Sequence, residues 1–165
     1  MSAVMSRCSQ YRYLLTRPAD LLAQKSPAVF LMLNPSTADA EIDDPTIRRC
    51  RGFARTWECN GIVVANLYAL RATDPNALWE HEDSVGPEND AYLRKLAYEH
   101  GDIVCAWGAG ANLGRVHQVS QMLTSAGARL WCLGTTSSGA PRHPLYVRAS
   151  QLLQPWMATT RGETA

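Results

Sequence analysis

Three short stretches of this chain place polar or charged side chains directly after apolar runs, and a fourth lies a few residues beyond one, where a folded domain can present them to a ligand. The first is Asn34-Pro35-Ser36-Thr37-Ala38-Asp39-Ala40, after the apolar run 28–33. Pro35 stops a central strand and holds Asn34 extended. The Asn34 amide, the hydroxyls of Ser36 and Thr37 and the loop N–H groups could then meet an anion. A plain turn held by the Asn and Ser side chains accounts for the same residues. Asp39, Asp43 and Asp44 lie close enough in the chain to hold a water, and Asp44 also reads as a helix cap. The second is Asn66, which closes the run Ile62-Val63-Val64-Ala65 and is followed by Leu67-Tyr68. An amide both donates and accepts, as reading the edge of a heterocycle requires. Buried without partners it would cost about 1–3 kcal/mol, so its partners are either protein or ligand. Arg71-Ala72-Thr73-Asp74-Pro75 follows with a cationic fork, which pairing with Asp74 or a helix C-terminus could also occupy.

The third stretch, Trp107-Gly108-Ala109-Gly110-Ala111, has too few glycines in register for a dinucleotide fingerprint, and no Walker loop occurs anywhere in the chain. Nicotinamide and nucleoside-triphosphate chemistry are set aside on that basis. The fourth is Gly139-Ala140-Pro141-Arg142-His143-Pro144-Leu145-Tyr146. Two prolines and a glycine around one histidine make a rigid surface loop, suited to a catalytic or anion-binding imidazole. Loop histidines without function are common as well.

The elements that must position these residues are legible as periodicity. Runs at 11–15, 28–33, 61–67, 103–107 and 129–133 read as strands, and the last four are nearly continuous apolar stretches, as in strands covered on both faces. Asp44-Pro45 opens a helix whose Ile47, Cys50, Phe53, Ala54 and Trp57 recur at three- and four-residue steps. Pro87 and Glu88 open a second helix ending before His100-Gly101, and a third runs from about 112 to 125, with Gly127 as its stop. Strand and helix therefore alternate, which predicts an α/β fold, a three-layer αβα sandwich around a central, mostly parallel sheet. In such sheets ligands bind at the carboxyl ends of the strands, where the first three stretches and Gly134-Thr135-Thr136-Ser137 fall.

The 165 residues fit one domain, expected over 1–157, with an aperiodic tail at 158–165 that frays. Apolar residues make up 46% and charged residues 19%, enough for a core and incompatible with general disorder. Sixteen basic against fifteen acidic residues leave +1, a weak field for nucleic-acid binding. All the basic residues except Lys25 and Lys95 are arginines, and Arg48, Arg49, Arg51 and Arg55 cluster either as a solvated helix face or as a phosphate-facing patch. Five cysteines without a C-x-x-C pair suggest a reducing compartment. The four histidines lack ligand spacing, so no metal and no cofactor are expected. No apolar run is long enough to span a membrane, and the N-terminus lacks a signal-peptide pattern; a soluble, cytoplasmic protein with no membrane partner is expected.

Over 13–156 the chain closely resembles a bacterial and phage family catalogued as domain of unknown function 1643. The likeness lies in Leu31-Met32-Leu33-Asn34-Pro35-Ser36-Thr37-Ala38, Asp44-Pro45-Thr46-Ile47-Arg48-Arg49-Cys50, Asn66-Leu67-Tyr68-Ala69-Leu70-Arg71-Ala72-Thr73, Gly86-Pro87-Glu88-Asn89-Asp90, Ala106-Trp107-Gly108 and Pro141-Arg142-His143-Pro144-Leu145-Tyr146. This resemblance implies no activity. More distantly, the order Asn34-Pro35, Asn66, Trp107-Gly108, His143-Pro144 resembles the landmarks of the uracil-DNA glycosylase superfamily.

That second resemblance implies a glycosylase-like fold and N-glycosidic hydrolysis at a normal or modified nucleobase, in DNA or in a free nucleotide. It makes Asn34 and His143 catalytic, Asn34 by positioning water and His143 by stabilising negative charge on the departing base. Asn66 would read the base edge; Ser36, Tyr68, Arg71, Trp107 and Arg142, from the same strand-end and loop stretches, are the further residues expected to line the ligand. One preorganised donor at a developing anion is worth roughly 2.7–4 kcal/mol. Leu145 stands where the glycosylases carry the serine of a His-Pro-Ser loop, and could serve as an apolar wedge. The alternative is a binding module for a nucleobase, nucleotide or nucleic acid with the same pocket and no turnover. A third reading, a hydrolase pairing Asp39, Asp43 or Asp44 with His143 on a small phosphorylated compound, rests only on neighbouring loops.

Overall fold

The computed structural model describes residues 1–20, 23, 25–36 and 41–159. Within them the chain forms β1 (Ser2–Met5), β2 (Arg12–Arg17), β3 (Ala28–Met32), α1 (Pro45–Thr56), β4 (Ile62–Asn66), α2 (Ala77–Glu80), α3 (Asn89–His100), β5 (Asp102–Cys105), α4 (Leu113–Ser125), β6 (Arg129–Cys132), a 3₁₀ turn (Pro144–Tyr146) and β7 (Gln154–Pro155). The strands make one sheet in the order β1-β2-β4-β3-β5-β6-β7. Its centre, β4-β3-β5-β6, is parallel, while β1, β2 and β7 pair antiparallel at the edges.

Because successive strand side chains point to opposite faces, the four central strands feed two cores. Phe30, Met32, Ile62, Val64 and Val104 pack with Ile47, Cys50, Phe53 and Ala54 of α1. Val29, Leu31, Val63, Ala65, Ile103 and Cys105 pack with Leu93 and Leu96 of α3 and Val116, Val119 and Leu123 of α4. The result is an α/β domain with α1 on one face of the sheet and α3 and α4 on the other.

Local chemistry accounts for the element ends. The Asp44 carboxylate accepts the Ile47 N–H at 2.8 Å, capping α1 ahead of Pro45. The Asn112 side chain caps α4 in the same way through Arg115 N–H. Gly101 takes a left-handed φ of 72° to close α3. Gly61, at φ +81°, passes so near β2 that an added Cβ would sit 2.0 Å from the Arg17 carbonyl oxygen. Helix α3 starts two residues later than the Pro87 signal suggests, and the edge strands β1 and β7 and the single turn α2 lie outside the periodic runs. Among the described residues no helix is long and apolar enough to cross a membrane. Thr37, Asp39 and most of the tail lie outside the described residues.

Candidate functional site

The crossover direction reverses between β3 and β5: α1 leaves the end of β3 on one face, α4 follows β5 on the other, and a crevice opens between the carboxyl ends. A cavity of about 230 Å³ lies there, and its walls include Arg12, Asn34, Ser36, Asp44, Asn66, Trp107 and His143. Four loops that are distant in sequence thus bring five of the predicted residues, Asn34, Ser36, Asn66, Trp107 and His143, to one cavity.

Asn66 is the last residue of β4, opposite Met32 of β3, and is only 1% exposed. Its side-chain nitrogen is buried without a hydrogen-bond partner. A buried amide donor without a partner costs about 1–3 kcal/mol, and such groups are rare in native proteins. The backbone around it is, by contrast, fully engaged. Asn89 donates from Nδ2 to the carbonyls of Asn66 (3.0 Å) and Leu67 (3.2 Å). Arg115 donates to the Leu67 carbonyl from Nε (3.0 Å) and Nη2 (2.8 Å), and Nη2 also meets Asp90 at 2.7 Å. The strand end is held firmly while its amide N–H₂ is left for something else.

Asn34 has spent its donors. Its Nδ2 donates to the Pro35 carbonyl (3.0 Å) and the Ala72 carbonyl (2.8 Å), while Ala72 N–H returns a bond to Pro35 O (3.0 Å). The amide orientation that satisfies these carbonyls leaves Oδ1, an acceptor, for the cavity. Ser36 donates its hydroxyl to Asp44 Oδ2 at 2.6 Å, so the carboxylate that caps α1 also fixes the first loop and lines the cavity.

His143 caps the 3₁₀ turn: its Nδ1 accepts the Leu145 N–H at 3.3 Å. Burial pushes its pKa below the ordinary histidine value, and the nearby Asp44 carboxylate only partly offsets this. The ring is therefore neutral near pH 7, with Nδ1 accepting and its proton on Nε2, a donor. Two contacts hold the turn in place. Gly108 N–H, at a left-handed φ of 79°, donates to Pro141 O at 2.9 Å, which joins the loop to the end of β5. Arg49 of α1 donates to the Pro144 carbonyl at 3.3 Å and to the Val147 carbonyl, with its guanidinium 5.4 Å from the Phe53 ring centroid. Trp107 is buried edge-on against Trp156, ring centroids 5.0 Å apart.

Tyr68, Arg71 and Arg142 do not line this cavity. Tyr68 is buried in the α3–α4 core, edge-on to Trp79 at 5.4 Å. Arg142 is exposed and donates to the Thr135 carbonyl at 3.0 Å. Arg71 is exposed beside the cavity and reaches the Ser9 carbonyl at 3.4 Å instead of Asp74.

The arginine cluster of α1 is turned largely onto the protein itself. Arg51 pairs with Asp20 (2.6 Å) and Asp43 (3.0 Å), and Arg48 donates to the Asp43 carbonyl at 2.6 Å. Burial raises the Asp43 carboxyl, but hydrogen bonds and charge from Arg17 and Arg51 outweigh it and hold the group below the ordinary aspartate value. Of the three aspartates weighed above, Asp43 is thus committed to arginines, Asp44 lines the cavity, and Asp39 lies outside the described residues.

Arg12, which strand periodicity alone does not single out, is 3% exposed and lines the cavity from β2. The signal was present as one charge inside the run Tyr11-Arg12-Tyr13-Leu14-Leu15. The roles of Arg49, Asn89 and Arg115 as props of the site depend on contacts with distant residues and carry no such local sign. Among the described residues no three His, Cys, Asp or Glu side chains are grouped to hold a metal ion.

No curated protein and no solved structure matches the chain. One family does, over residues 12–145, and with the greater part of the chain covered the protein belongs to it: the family described as protein of unknown function (DUF1643).

Proposed function

We propose that the cavity between β3 and β5 receives a nucleobase and that the domain is a uracil-DNA-glycosylase-like N-glycosidic hydrolase. The observation that carries this reading is the buried Nδ2 of Asn66, without a protein partner, in a residue that lines a cavity of about 230 Å³. An unsatisfied amide in the lining of a small cavity suits the edge of a heterocycle with its own acceptors and donors. The parallel strand order β4-β3-β5-β6 and the sequence of landmarks Asn34-Pro35, Asn66, Trp107-Gly108 and His143-Pro144 support the comparison with that superfamily.

In this mechanism the bond between C1′ and the base nitrogen breaks and the electron pair leaves with the base. Neutral His143 donates from Nε2 to the oxygen on which that charge gathers, a contact that strengthens in the transition state. Asn34 Oδ1 accepts from a water and orients it toward C1′, and water delivers hydroxyl to the sugar and its proton to the base. A binding module without turnover is the second reading. It is favoured by Asn34, which cannot take a proton, and by Asp44, whose two oxygens already serve Ile47 N–H and the Ser36 hydroxyl.

The test is a panel of single- and double-stranded oligonucleotides and nucleosides carrying uracil, hydroxymethyluracil and other bases, assayed for binding and abasic product. Product that vanishes in His143→Ala and weakens in Asn66→Ala is expected. Binding without product selects the module, and folded variants that behave as wild type on every substrate refute both.

A further inference from the structure

A second recess of about 420 Å³ adjoins the cavity, and the two share Ser36, Ala72 and Thr73 as walls. The inner cavity of about 230 Å³ is smaller than the roughly 300–1,000 Å³ of most small-molecule sites, so it holds one part of a ligand. The adjoining recess is where the rest of that ligand goes, and its lining indicates what the rest is.

Arg71 stands in the recess with Ser9, Thr73 and His81, and none of the described lining residues is a carboxylate. The guanidinium is exposed and makes a single long bond, 3.4 Å, to the Ser9 carbonyl, so its fork is available. His81 Nδ1 accepts Asp83 N–H at 3.1 Å, which leaves Nε2 as a further donor. Of the neighbouring aspartates, Asp74 accepts Asn76 N–H and Asp83 accepts Gly86 N–H, both at 2.9 Å. A cationic fork, an imidazole and hydroxyls, with no carboxylate among the described lining residues, make a seat for an anion with several acceptor oxygens.

We infer that this recess binds the phosphate of a mononucleotide whose base occupies the inner cavity. The inference rests on the nucleobase reading above and narrows its substrate class. A mononucleotide is favoured over a polynucleotide because three arginines of α1 that could continue a row of phosphate contacts already spend donors within the protein. Arg51 pairs with Asp20 and Asp43, Arg48 with the Asp43 carbonyl, and Arg49 with the Pro144 and Val147 carbonyls. One seat beside one small cavity fits one phosphate.

Calorimetric titration at low salt decides it, with deoxyuridine, thymidine, deoxycytidine and hydroxymethyl-deoxyuridine, their 3′- and 5′-monophosphates, and a short single strand carrying the preferred base. The expected result is a monophosphate bound at least tenfold more tightly than its nucleoside. That ratio falls toward one in Arg71→Ala, is largely kept in Arg71→Lys, and shrinks as salt rises. Nucleosides that bind with no phosphate preference, or a preference untouched by Arg71→Ala, overturn the phosphate seat and leave the base pocket standing. A strand bound more tightly than the monophosphate overturns the mononucleotide assignment. If neither nucleosides nor nucleotides bind, the base-binding reading fails and this one falls with it.

Discussion

Replacing Asn66 by valine should stabilise the ligand-free protein while destroying its ability to bind. Asn66 Nδ2 is buried with no partner, and the side chain is 1% exposed. Leaving such a donor unmade costs about 1–3 kcal/mol, which removal of the amide recovers. The backbone bonds that hold the strand end, from Asn89 Nδ2 at 3.0 Å and through Leu67 to Arg115, do not involve the replaced atoms. Valine suits the strand, and any excess volume abuts the cavity rather than a packed layer.

The net gain expected is therefore about 1 kcal/mol, near the lower end, which for a chain of this size raises Tm by about 2–4 °C. Urea unfolding measures it, with the m-value unchanged. In the same variant the added stability that wild type gains from bound ligand should disappear. A loss of more than about 1 kcal/mol at constant m would refute the reasoning, because it would mean that the amide already serves the fold.

Two further outcomes follow from the His143 loop. Arg49→Met removes the donors to the Pro144 and Val147 carbonyls from a half-buried site. It should cost about 1–2 kcal/mol and speed hydrogen exchange at the Tyr146 amide, which donates to the His143 carbonyl at 3.0 Å; unchanged exchange would mean the loop holds itself. For pH, the folded-state pKa of His143 lies below the ordinary value of 6.5, so the unfolded chain takes up the proton first as pH falls. Stability should decline as pH drops below about 6.5 until the lowered folded pKa is passed, and His143→Gln should flatten that segment. Identical pH profiles for variant and wild type would remove burial of the neutral imidazole as the cause.

Which parts of this protein were readable along the chain follows from the range of the interactions involved. The central strands and α1, α3 and α4 announce themselves because each buries a face at its own period, and Asp44-Pro45 and Gly101 mark ends through bonds made within a few residues. The edge strands β1 and β7 have no such pattern. They are four and two residues long and exist by pairing with β2 and β6.

The site divides in the same way. Asn34, Ser36, Asn66 and Trp107 could be named in sequence because groups directly after buried parallel strands must emerge at one edge of the sheet, and His143 because prolines and a glycine hold its loop rigid. Only tertiary structure could decide which donors are spent. Asn34 gives both hydrogens to carbonyls at residues 35 and 72, Arg51 turns to Asp20 and Asp43, and Asn66 is left with none to satisfy. Only tertiary structure, too, could seat Arg12 from a neighbouring antiparallel strand and open Arg71 beside the cavity. A residue's type states what it is able to bond, and its neighbours across the fold determine whether that capacity is still available to a ligand.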